Sequence, residues 1–87
     1  MSQPSKVEPQ VIDIADVNKK GEFNARLAET NYGDKIIYSR GVTAGGMHKQ
    51  DALNAWEAGY VGLVQKRIGV GRFDYIAQRT RKRLKKT

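Results

Sequence analysis

His48 is the only histidine in the sequence, and cysteine is absent. Metal sites draw on three or four convergent ligands, most often Cys and His. No metal and no cofactor are therefore expected, and a thiol nucleophile is excluded. His48 stands beside Lys49 at the expected start of a helix, where positive charge is disfavoured. It reads as an exposed or capping side chain. Asp13 and Asp16 lie three apart on an expected strand, which sends them to opposite faces and away from a shared acid–base pair. Ser39 has no histidine near it in sequence and no nucleophile-elbow signature. Gly41-Val42-Thr43-Ala44-Gly45-Gly46 has the glycines of a phosphate loop. A P-loop needs Lys directly after the last Gly, and here Met47 and His48 intervene before Lys49. The amides of Gly45, Gly46 and Met47 remain a seat for one backbone phosphate, against a plain connecting loop. The chain is expected to have no catalytic residue and no small-molecule substrate.

Charge is the stronger signal. The 87 residues hold 16 Lys and Arg against 9 Asp and Glu, a net +7. The excess sits at one end: Lys66, Arg67, Arg72, Arg79, Arg81, Lys82, Arg83, Lys85 and Lys86 face a single acid, Asp74, after residue 65. A near-neutral body with a basic end points to a polyanion, because each phosphate neutralised by Lys or Arg releases a condensed cation. Aromatics interleave with these charges. Tyr32, in an expected turn, and Tyr75 are candidate stacking or rim residues. For Tyr75, as for Phe73, burial in the core competes with that role, since an aromatic carries much apolar area.

The elements that must position these residues follow from periodicity. Residues 1–10, with Pro4 and Pro9, read as a flexible arm. Residues 11–78 form a single domain, and residues 79–87 a basic tail. Val11, Ile12, Ile14 and Val17 predict a strand over residues 10–17. Phe23, Ala25 and Leu27 alternate with Asn24, Arg26 and Ala28, the period of a half-buried strand. Asn31-Tyr32-Gly33-Asp34 is a turn signal, and a third strand follows over residues 35–40. These three predict an antiparallel meander. Ala52, Leu53, Trp56 and Tyr60 recur at helical steps, with Gly59 placed as a C-terminal stop. Residues 60–79 have two readings: a longer helix through Gly59 and Gly62, or a hairpin turned at Gly69-Val70-Gly71. The β-branched and aromatic residues on both arms favour the hairpin. The expected fold is α+β: a small antiparallel sheet with one helix packed on it and a basic C-terminal hairpin or helix. Trp56, Leu53, Phe23, Leu27, Ile36 and Ile12 are the expected core.

Residues 21–64 carry a partial pattern: Gly21, Phe23 and Arg26-Leu27, then Gly33, Ile36-Ile37, Ser39 and Gly41, then Lys49 and Ala52. This resembles the YegP-like small ββα family, with its F-x-x-R-L strand, N-G turn, I-I-x-S-x-G strand and K-x-x-A helix start. The turn here is one residue longer than N-G, and the loop over residues 42–48 is also longer than the family's. The resemblance implies a ββα arrangement and no activity.

Three partner classes fit the charge. The first is nucleic acid or a ribonucleoprotein, held mainly through phosphates. The second is a host protein complex, with the chain as a phage or mobile-element inhibitor, for example an anti-CRISPR covering an effector's DNA site. The third is a ribosome, with the chain as an accessory protein. No apolar run nears the roughly 18 residues needed to span a bilayer, so no membrane partner is expected, and the expected location is the cytoplasm. An apolar content of 39% in one small domain leaves little core to hollow out for a large pocket.

Overall fold

Phe23 and Leu27 stand four apart, and between them Ala25 is exposed. That spacing belongs to a helix, and in the computed structural model, which describes residues 9–82, the chain obeys it. The element order is β1 (Val11–Asp13), α1 (Glu22–Leu27), β2 (Lys35–Gly41), α2 (Lys49–Glu57), β3 (Val61–Gly69) and β4 (Arg72–Arg79). The strand expected over residues 22–29 is thus α1. Period 2 and period 3.6 both bring Phe23 and Leu27 to one side. The tie is broken by good helix formers at Glu22, Ala25, Arg26 and Leu27 and by the Glu22–Arg26 pair one turn apart, at 2.7 Å. Gly21 enters the helix at φ 86°, in the left-handed region that favours glycine. The F-x-x-R-L segment of the family resemblance is therefore helical here.

The helix between β1 and β2 changes the sheet. A helical crossover returns the chain parallel, whereas a meander needs tight turns. β1 pairs parallel with β2, with Ile12 opposite Ile36. The sheet order is β1-β2-β4-β3, and both pairings of β4 are antiparallel. The fold is α+β, as expected, but the sheet is mixed and carries two helices. Residues 61–79 form the hairpin rather than a longer helix. Gly59, at φ 88°, ends α2 and opens it.

Both helices pack on one face of the sheet. That face holds Ile12, Ile36, Tyr38, Val61, Leu63, Phe73, Tyr75 and Ala77, joined by Ile14, Phe23 and Leu27. A bulge at Tyr38 places both Tyr38 and Ser39 opposite Tyr75. Of the expected core, Phe23, Leu27 and Ile36 are buried, and Ile12 and Leu53 are partly buried. Trp56 is 51% exposed. The buried stripe of α2 is His48, Ala52 and Ala55, spaced i, i+4, i+7. Small residues there bring the helix close to the sheet and turn the larger Leu53 and Trp56 outward. Ala52→Leu is accordingly expected to cost about 1–3 kcal/mol through overpacking, more than Trp56→Ala. Urea unfolding of the two variants ranks them.

Candidate nucleic-acid interface

Among the described residues, no helix lies over the opposite face of the sheet. Strand alternation puts Asp13, Lys35, Ile37, Arg40, Asp74, Ile76, Gln78, Gly62, Val64 and Lys66 there. Arg40 organises its acidic end. Its Nη2 lies 2.6 Å from Asp13 Oδ2, its Nε 2.6 Å from Asp74 Oδ1 and its Nη1 3.7 Å from Asp16 Oδ2. Asp13 and Asp16, expected on opposite faces, converge on this guanidinium because β1 stops at Asp13 and the chain turns before Asp16. The hydrogen bond from Arg40 holds the Asp13 carboxyl below the usual range, with burial opposing it. Asp13 and Asp74 in turn raise Arg40.

Beside this cluster is a cavity of about 470 Å³, bordered by Asp16, Ser39, Arg40, Gly45, Gly46 and His48. It includes the glycine loop considered as a phosphate seat. Of the cluster, Asp16 and Arg40 border this cavity, so its lining sets one carboxylate against one guanidinium and has no net positive charge to draw an anion. The Gly45 amide already donates to Ser39 Oγ at 3.0 Å. His48 is not exposed but buried, at 3%; it stands at the N-cap position of α2, and its side chain makes no capping bond. Its Nε2 is 2.8 Å from the Val17 carbonyl. A carbonyl only accepts, so Nε2 carries the proton and donates. Among the described residues, no group of three His, Cys, Asp or Glu is placed to hold a metal, and no helix is long and apolar enough to cross a membrane.

The basic residues divide into separate groups. Lys66, Arg67 and Arg72 are exposed around the tip of the β3–β4 hairpin. Arg81 and Lys82 lie past the other end of β4. Arg79 is not part of the tail: it is the last residue of β4, paired with Val61 and 8% exposed. Its Nη1 donates to the carbonyls of Tyr60 and Lys82, at 3.2 and 3.0 Å, and its Nε has no acceptor among the described residues. Lys82 Nζ donates to the Ala58 carbonyl at the end of α2 and sits 5.1 Å from the centre of the Tyr60 ring, so it serves as a helix cap. Arg83, Lys85 and Lys86 lie outside the described residues, as does most of the N-terminal arm.

The two candidate stackers also separate. Tyr75 is 8% exposed and its hydroxyl donates to the Val42 carbonyl at 2.9 Å, so it is a core residue. Tyr32 is 61% exposed, with the Arg81 guanidinium 4.9 Å from its ring centre. Together they wall a second cavity of about 300 Å³ on the open face, floored by Gly62, Val64 and Gln78 and edged by Thr80. Gly62 and Gln78 carried no sequence signal for this place. Only the strand register, Gly62 opposite Gln78, brings them under Tyr32.

The turn that presents Tyr32 is fastened by Asp34. Its carboxylate accepts from the Gln10 amide at 3.1 Å and the Asn31 amide at 2.9 Å, and from the Gln10 side chain at 3.2 Å. Burial alone raises this group, but those bonds and the Arg79 charge outweigh it, and the net shift is downward. Compared with protein-family models, curated proteins and solved structures, the chain matches none.

A carboxyl lowered by folding stabilises the native state above its ordinary value of 3.8. That stability is lost as pH falls through the lowered value. The urea midpoint is therefore expected to drop on acidification below about pH 4. Asp34→Asn should be less stable than the native sequence at neutral pH, and the gap should close at the acid end. Midpoints measured across pH check both.

Proposed function

We propose that the protein is a non-catalytic nucleic-acid-binding module that grips phosphates through the hairpin tip and the basic end that follows β4. The observation that carries this is how the ion pairs are shared out. Every ion pair among the described residues goes to Arg26 or Arg40. Asp74 sits directly across from Lys66 in the ladder, yet it turns to Arg40. Lys66, Arg72 and Arg81 are left exposed with no carboxylate partner among the described residues, as is Arg67, whose Nε donates to the nearby Gly69 carbonyl at 3.2 Å. Unpaired cations on a protruding hairpin suit a polyphosphate chain, whose binding is driven by counterion release. The basic sequence continues through Arg83, Lys85 and Lys86.

Lys66→Gln, Arg67→Gln and Arg72→Gln combined should weaken binding of generic oligonucleotides. The slope of log affinity against log salt should become shallower by about 2, near 0.7 for each single-strand phosphate contact removed. Fluorescence anisotropy over a salt series measures it. Affinity indifferent to salt, or unchanged in the triple variant, would count against a phosphate-gripping role.

A further inference from the structure

The cleft between Tyr32 and the hairpin has features that phosphate contact does not require. Its floor is bare because Gly62 has no side chain, and a Cβ placed there meets no atom within 4 Å. One wall is an exposed aromatic ring paired with a guanidinium. Val64 adds apolar surface, and the Gln78 side-chain amide offers both a donor and an acceptor. Arg79 borders the cleft through its place at the end of β4, but its guanidinium turns inward and its charge acts on Asp34. The cation exposed at the cleft is Arg81. About 300 Å³ is the lower end of ligand-pocket sizes, roughly 300–1,000 Å³, room for one planar ring system and not for an extended ligand. Gly62, Val64 and Lys66 share one face of β3. A chain leaving the cleft reaches Lys66 after about 13 Å, at roughly 3.3 Å per residue.

We propose that this cleft seats one unpaired base of a single-stranded nucleic acid, stacked against the Tyr32–Arg81 pair over the bare backbone of Gly62. The proposal rests on the nucleic-acid reading above and narrows it to single strands. Rings and guanidinium planes both stack on bases without regard to sequence. Gln78 can meet a base edge, and the strand continues along β3 toward Lys66. A duplex keeps its bases paired and stacked inside, so it cannot fill the cleft.

The test uses the full chain and labelled mixed-sequence DNA and RNA strands of about 12 nucleotides, the same strands with abasic sites, and a duplex. Single strands of either sugar should bind about tenfold more tightly than their abasic counterparts. Tyr32→Ala should abolish that difference while leaving the salt dependence in place, and Tyr32→Phe should keep it. Gly62→Leu should also abolish it. The φ of Gly62 is not positive, so a side chain grows into the cleft without backbone strain, and circular dichroism verifies the fold. Abasic or duplex ligands bound as tightly as single strands would overturn the proposal, as would a folded Gly62→Leu variant with native affinity. Phosphate-driven, base-independent binding sinks the cleft alone, while no binding to any oligonucleotide sinks the functional reading with it.

Discussion

Arg40 ties the sheet together on the face opposite α1 and α2. It joins its own strand, β2, to the last residue of β1, to Asp74 in β4 and to the turn after β1. β1 is three residues long and pairs on one side only, so its backbone ladder is short. Charge-assisted bonds to a planar, multi-donor guanidinium supply what that ladder lacks, and they fix orientation as well as distance. The same contacts draw Asp13, Asp16 and Asp74 to one end. A single arginine therefore sets both where a weak edge strand lies and where negative charge collects.

The polarity of the molecule follows from that collection. Asp13, Asp16 and Asp74 pair with Arg40, and Glu22 and Glu29 with Arg26, which leaves the hairpin's cations without a carboxylate partner among the described residues. The cavity beside the glycine loop, where Asp16 faces Arg40, and the cleft beside Tyr32, edged by Arg81, differ in charge within one small domain. The glycine loop had the residue types of an anion site, but not the surroundings. The cleft had no motif at all; it arises where a turn, the end of β4 and a glycine of β3 meet.

Much of the hairpin was legible in the sequence. The β-branched and aromatic residues of both arms marked the two strands, and the turn at Gly69-Val70-Gly71 was read in place. The six-residue α1 was misread, since so short a segment satisfies two periods at once and the choice falls to helix propensity and the Glu22–Arg26 pair. That error made the sheet antiparallel throughout. In α2 the helix was legible but its buried side was not: size suggested Trp56, whereas the spacing of His48, Ala52 and Ala55 was the better guide. Of the candidate site, the cationic types were legible, but their partners were not. That Arg79 and Tyr75 turn inward while Tyr32 and Arg81 stay outside depends on register, which composition does not encode.

The bulge at Tyr38 has a consequence for β2 as a written message. Strict alternation would send residues 36, 38 and 40 to the helical side, burying a guanidinium beneath α2. The extra residue acts as a phase shift: letters before it are read in one frame and letters after it in the other. Ile36 and Ile37 thus keep their faces, while Arg40 changes sides and finds its acids. Loss of one residue here would leave the hydrophobic composition almost untouched and still invert the meaning of everything from Ser39 to Gly41. In this protein the position of a single irregularity, more than the identity of any side chain near it, determines which surface is charged.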